Sequence, residues 1–256
     1  MRYRPQGQRY FDYAQTDQRL RSGLVGHWIG DGSGLTLRDR SGYGNHLSFV
    51  NSPKWSLGAD NCCQALEYNG TDNYVSGVNN SYVDLGSGNF SIAARFKSNG
   101  SHIGVIYAKG DDASQGAVQL YLRTTDPYIR LLTQDASSSF TTSEGVNPHD
   151  GLWHDVVAIR IGTTLQIYLD NVLVSNNTGL TLRNTTNNGT INIGARIQSG
   201  VMIQSFSGKI EYVRLFKRAL SQAEVLLTSQ RLVQPVRMRR SMIIVNGVWV
   251  PWVSVY

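Results

Sequence analysis

Groups able to do acid–base chemistry are scarce in this sequence. The only glutamates are Glu67, Glu144, Glu211 and Glu224. A glycosidase needs two carboxylates placed across the scissile bond, and Glu211 stands alone on its predicted strand. Metalloprotease, nucleophile-elbow and phosphate-loop patterns are missing. The residues therefore predict a chain that is not an enzyme. The more promising chemistry is sugar recognition, which pairs an aromatic surface with polar groups that grip hydroxyls. Predicted loops offer Tyr43, Trp55, Tyr74, Tyr82 and Tyr128, with Asn73, Asn79, Asn80 and Asp126 nearby. The candidate ligand-binding cluster is Tyr43, Asp72, Asn73 and Tyr82, although ordinary loops are also rich in Tyr and Asn.

The elements that must position these groups read as strands. In 90–96, Phe90, Ile92, Ala94 and Phe96 alternate with Ser91, Ala93 and Arg95. In 165–170, Leu165, Ile167 and Leu169 alternate with Gln166, Tyr168 and Asp170. Period-two alternation predicts strands with one buried and one solvated face, as in stacked antiparallel sheets. Further strands are expected at 24–30, 46–50, 62–68, 73–77, 103–109, 117–123, 127–133, 153–161, 172–175, 190–196 and 208–216. Turn signals recur at a spacing of about 8–12 residues, the sandwich pattern. One short helix is expected at 221–229. Ser221 and Glu224 form a capping box, and Leu220 and Val225 stand where a hydrophobic staple closes the first turn.

Charge divides the chain into three parts. The net charge is +6, with +3 in residues 1–22 and +4 in residues 231–256, so the body, 23–230, carries −1. Basic residues confined to two arms do not make the folded basic face of a nucleic-acid binder, so no direct nucleic-acid contact is expected. Residues 1–22 read as an extended arm. Residues 231–256 combine a basic stretch with Asn246-Gly247 between two β-branched runs, the strongest short-range hairpin signal. Such a ribbon must pack on its own body or on another subunit. The expected assembly contacts are Arg2, Arg4, Arg9, Arg237, Arg239, Arg240, Trp249 and Trp252. No run approaches the ~20 apolar residues of a membrane span. Residues 1–22 lack the apolar run of a secretion signal. The two cysteines, Cys62 and Cys63, are adjacent and read as reduced thiols. Both features suggest folding in a reducing cytoplasm.

A series of short motifs runs in order through the body. They are Leu24-Val25-Gly26-His27-Trp28, Asp39-Arg40-Ser41-Gly42-Tyr43-Gly44-Asn45-His46, and Tyr68-Asn69-Gly70-Thr71-Asp72-Asn73-Tyr74-Val75. Phe90-Ser91-Ile92-Ala93-Ala94-Arg95-Phe96, Asp150-Gly151-Leu152-Trp153-His154-Asp155-Val156 and Ile167-Tyr168-Leu169-Asp170-Asn171 follow. Phe206 to Phe216 and Arg218-Ala219-Leu220-Ser221 close the series. The series resembles laminin-G-like domains of the concanavalin A-like jelly-roll superfamily. The resemblance implies an all-β fold, an antiparallel β-sandwich with one short helix and N- and C-terminal extensions. It also implies that His154, in the Trp-His motif, is a structural residue. Related domains often bind Ca2+, which prefers oxygen ligands. Two readings of the Asp39 turn stay open: one Ca2+ held by Asp39, Asn45 and Asp72, or a turn shaped by side-chain-to-backbone bonds. Where the family commonly has Ile-Asp-Glu-Val-Arg, this chain has Ile210-Glu211-Tyr212-Val213-Arg214, which loses the short acid.

Fold does not decide function, so the departures from the family carry the functional expectation. Basic arms, an apolar ribbon and unpaired cysteines suit a subunit of a larger assembly: a virus-particle surface or capsid decoration protein in a homo-oligomer or capsid lattice. Its body would project outward and could contact host glycans, and its location would be the virion. The alternative is a carbohydrate-binding or adhesion module of an extracellular protein. A glycoside hydrolase ranks third.

Overall fold

The computed structural model describes residues 18–30, 32–59, 63–98, 100, 103–110, 116–125, 128–135, 137–142, 146–229, 241–245 and 248–252. Helix α1 (Gln18–Arg21) precedes β1 (Leu24–Ile29), β2 (Thr36–Leu37), β3 (Leu47–Val50), β4 (Lys54–Leu57), β5 (Gln64–Asn69) and β6 (Tyr74–Gly77). Next come β7 (Phe90–Ser98), β8 (Gly104–Lys109), β9 (Ala117–Leu122), β10 (Ile129–Gln134), β11 (Ser138–Thr142) and β12 (Trp153–Ile161). The body ends with β13 (Thr164–Leu169), β14 (Val172–Asn177), β15 (Ile191–Ile193), β16 (Arg196–Gln198), β17 (Val201–Ile203), β18 (Ser207–Phe216) and α2 (Gln222–Ser229). Strands β19 (Ser241–Val245) and β20 (Val248–Trp252) follow.

Two eight-stranded sheets form the sandwich. The first runs β14-β13-β12-β7-β18-β5-β4, with β1 also paired to β18; the second runs β11-β10-β9-β8-β15-β6-β3-β2. The central pairs β12–β7, β18–β7, β8–β9 and β10–β9 are all antiparallel. The core lies between the sheets. It takes Phe90, Ile92, Ala94 and Phe96 from β7, Val156 and Ala158 from β12, and Leu120, Leu122, Ile129 and Leu131 from β9 and β10. Trp28 and Tyr107, both fully buried, meet at a ring separation of 6.3 Å.

The outer face of the first sheet departs from the solvated face that alternation predicts. Register sets Ala93 opposite Val157 and Ser91 opposite Ile159 on that face. All four are buried, because Leu20 of α1, Leu220 just before α2 and Val225 of α2 lie over them in a second apolar cluster. Gln18–Arg21, read from sequence as the end of an extended arm, is therefore a helical turn whose Leu20 is 1% exposed. A period-two pattern of small residues cannot say whether water or a helix covers the second face.

The α2 start matches its expected cap. The Glu224 amide donates to Ser221 Oγ at 3.4 Å, and the Ser221 amide donates to Glu224 Oε2 at 2.9 Å. Arg218 adds a salt bridge to Glu224 at 2.6 Å. Its hydrogen bond is the main reason the Glu224 carboxyl is held down to about 2. The other end of α2 has no basic residue in its last turn. Its free carbonyls are met from the sheet: Arg214 Nη1 donates to Thr228 O, with Tyr212 Oη 2.9 Å from the same carbonyl, and Arg95 Nη2 donates to Ser229 O.

Several short strands escaped the sequence reading: β2, β4, β11 and β17, and the expected 190–196 strand divides into β15 and β16. The C-terminal ribbon forms as expected. β19 and β20 pair antiparallel, Val245 opposite Val248 and Ser241 opposite Trp252, as a sheet separate from the two body sheets. The Asn246-Gly247 turn lies outside the described residues, as do Arg2, Arg4, Arg9, Arg237, Arg239 and Arg240. Trp249 and Trp252 fall on β20.

Candidate functional site

Asp39 organises the first candidate loop. Its carboxylate is buried and accepts four hydrogen bonds. Oδ1 takes the amides of His27 (2.9 Å) and Ser41 (2.8 Å); Oδ2 takes Ser41 Oγ (2.8 Å) and the Asn45 amide (2.9 Å). Asn45 Nδ2 then donates to Val25 O at 2.7 Å, and Trp28 Nε1 donates to Asn45 O at 2.6 Å. The loop between β2 and β3 is thus sewn to β1 and to the core tryptophan. At its tip, Gly42 and Gly44 flank Tyr43 with φ of 99° and 74°, the left-handed conformation that glycine adopts at least cost.

A second loop, between β6 and β7, meets the first. Asn80 Nδ2 donates to Asn45 Oδ1, and Asn80 Oδ1 accepts the Tyr82 amide at 3.0 Å. Lys217 Nζ donates to Ser81 O at 3.2 Å. The result is a pair of exposed rings: Tyr43 and Tyr82 lie with centroids 4.6 Å apart, inclined at 47°, and stand 46% and 52% exposed. Solvent-facing aromatic area held on constrained backbone suits the apolar face of a sugar ring.

The other two members of the expected cluster sit elsewhere. Asp72 and Asn73 belong to the β5–β6 loop. Asn69 Oδ1 there accepts the amides of Thr71 and Asp72, and Asn69 Nδ2 donates to Asp72 Oδ1 at 2.7 Å. Asn73 is buried, and its Oδ1 accepts the Asn69 amide at 2.9 Å. Both residues shape their own turn. Sequence proximity had suggested Asn80 only as a neighbour of the tyrosines; it is the strut between their loops.

The same geometry bears on calcium. Three N–H groups and a hydroxyl already converge on the Asp39 carboxylate, and Asn45 is spent on Val25 and Asn80. A cation needs oxygen atoms free to face it. Asp72 lies in a different loop, and among the described residues no group of three His, Cys, Asp or Glu could hold a metal ion. The residues do not fit a calcium ion, and the turn-shaping reading is the one the geometry favours.

The model of a protein family described as the concanavalin A-like lectin/glucanases superfamily matches residues 69–226. The chain belongs to this superfamily. Solved structures share its sandwich at low identity. Domain 4 of AbnA, a GH43 extracellular arabinanase from Geobacillus stearothermophilus solved with arabinotriose, is 15% identical with a TM-score of 0.64, covering 82% of this chain and 99% of that domain. The binding domain of Paraclostridial Mosquitocidal Protein 1 is 13% identical with a TM-score of 0.67, covering 82% of this chain and 52% of that one. The CBM40 of a Ruminococcus gnavus IT-sialidase, solved with α2,3-sialyllactose, is 12% identical with a TM-score of 0.50, covering 56% of this chain and 84% of that one. A search of curated proteins returns no match.

Within this superfamily scaffold, the remaining acid–base candidates are tied into structure. Glu211 is buried; Oε2 accepts the Ala59 amide at 2.7 Å and Oε1 the Cys63 thiol at 3.3 Å. Cys63 is buried. His154 sits between two carboxylates, Nδ1 to Asp170 at 2.7 Å and Nε2 to Asp150 at 3.0 Å. The Asp170 hydrogen bond is the main force raising its pKa to about 9. The pKa values of Asp150 and Asp170 are lowered; their hydrogen bonds outweigh desolvation, which acts the other way.

Two outcomes follow from this geometry. Asp39→Ala strands three amides around an empty position and should lower stability by roughly 2–4 kcal/mol, measured by denaturant unfolding, whereas EDTA should leave the wild-type Tm unchanged. The His154 proton is held more tightly in the folded state than at the ordinary value of 6.5. Its contribution is therefore complete below about pH 6.5 and is lost as pH rises through about 9. The Tm difference between wild type and His154→Ala should accordingly shrink between pH 6.5 and 9.5; a constant difference would contradict the assignment.

Proposed function

We propose that this chain is a carbohydrate-binding module that offers the Tyr43–Tyr82 pair to the apolar face of a sugar. The observation that carries this reading is the exposed ring pair, 4.6 Å apart, on two loops braced through Asn45 and Asn80. Rigid aromatic area is cheap to present, because little side-chain entropy is lost on binding. Asn80, bonded to the Tyr82 amide, and Lys217, bonded to Ser81 O, belong to the same bracing network, and each keeps an N–H beyond those bonds for sugar hydroxyls. The arabinotriose and sialyllactose complexes of fold neighbours support the class of ligand. Tyr43→Ala and Tyr82→Ala should each weaken binding to the best ligand of a glycan array about tenfold, or ~1.4 kcal/mol, with Tm nearly unchanged. Unaltered affinity in both variants would remove the site.

A second reading, a particle subunit anchored by its arms and displaying the module, draws on the +3 and +4 termini and on the separate β19–β20 ribbon. Light scattering would then give an oligomer for the full chain and a monomer for a chain ending at 230. Identical monomers would leave the module reading alone.

A further inference from the structure

We infer that the outer face of the second sheet carries a subsite for the carboxylate of an acidic sugar, centred on Arg130. Ile129 and Leu131 point into the core, so alternation turns Arg130 to the opposite face of β10. There it lies across from Tyr121 of β9. Its guanidinium lies 4.5 Å from the Phe140 ring centroid and 5.8 Å from that of Tyr121. Among the described residues its hydrogen bond is a single one, from Nη1 to the Tyr121 hydroxyl at 3.1 Å. The Nε–H is buried and meets no acceptor, and no carboxylate pairs with the charge among the described residues.

The unused side of the guanidinium is the one that carries Nε and Nη2. The same molecule shows what that side does when an acid is present. Arg95 grips Asp155 through Nε, at 3.0 and 3.1 Å, and Nη2, at 2.6 Å. Tyr212 steadies that pair by donating its hydroxyl to Asp155 at 2.8 Å, with its ring 6.0 Å from the Arg95 guanidinium. Arg130 has a tyrosine ring at a similar distance and no carboxylate among the described residues, and its Tyr121 hydroxyl accepts from Nη1 where that of Tyr212 bonds the acid. The parallel is chemical, since a planar fork matches a planar carboxylate in two hydrogen bonds. Phe140, 44% exposed beside the guanidinium, supplies apolar area for the sugar ring that bears the acid. Two aromatic neighbours fix the guanidinium plane, so little order is lost when the anion arrives.

This subsite stands on β9, β10 and β11, apart from the loops of the tyrosine pair, and succeeds or fails without it. The test is calorimetric titration of the full chain with trigalacturonate, with neutral galactotriose and with inorganic sulfate. Trigalacturonate should bind, and its affinity should fall with added salt. Arg130→Gln should weaken it at least tenfold, and Arg130→Lys nearly as much, because lysine keeps the charge and loses the planar fork. A Tyr43→Ala/Tyr82→Ala chain should bind trigalacturonate as the wild type does. Unfolding curves establish that the variants are folded. The inference is overturned if trigalacturonate gives no binding at millimolar concentration, if Arg130→Lys binds it as well as the wild type, or if sulfate binds equally tightly.

Discussion

The interaction on which the candidate site depends is the convergence of four donors on the Asp39 carboxylate. It links His27 of β1 to Ser41 and Asn45 of a loop that contains no regular strand. Asn45, fixed by that carboxylate, reaches Val25 on one side and Asn80 on the other. Tyr43 and Tyr82 are separated by nearly forty positions in sequence, and their rings meet because each stands a residue or two from one member of this chain of bonds. A buried carboxylate satisfied entirely by donors is a rigid joint, since each lost bond would leave an N–H without water or partner.

Buried cations perform the matching task elsewhere. Arg160 is almost wholly buried, lies 4.7 Å from the Phe90 ring centroid, and donates to carbonyls of Leu85, Gly86, Gly88 and Arg183. Lys109, 1% exposed, donates to both oxygens of Asn187. Burial lowers the pKa of both side chains, that of Arg160 to about 10. Irregular backbone leaves carbonyls with no strand partner, and a multidentate donor gathers several of them at once. The loops that carry ligand chemistry on a sandwich can be irregular because side chains like these supply the order that strand pairing does not.

Much of this was legible in the sequence, and the limits have physical causes. The sandwich, the long strands and the α2 cap follow from local patterns, since alternation and capping depend on residues a few positions apart. The buried outer face of β7 was not legible: Ser91 and Ala93 look solvated until Leu20 and Leu220, more than seventy positions away on one side and more than a hundred on the other, lie over them. The tyrosine pair was half legible. Residue type selected Tyr43 and Tyr82, but sequence spacing also drew in Asp72 and Asn73, which bond within their own turn. Arg130 escaped altogether, because an arginine alternating with Ile129 and Leu131 reads as an ordinary solvent-facing residue until its ring neighbours are placed.

The ordered motifs that identify the superfamily prove to be mainly joints. Trp28, Asp39, Asn45 and His154 hold elements together, while the exposed rings and the Arg130 face are the surfaces proposed to meet a ligand. If the ring pair receives a sugar, as proposed, ring-resolved NMR will report it. Aromatic carbon–proton spectra with Tyr43 and Tyr82 assigned would be followed as the best glycan of an array is titrated. These two rings should then shift together and saturate at one dissociation constant. Saturable binding that leaves both rings unmoved would contradict the proposal.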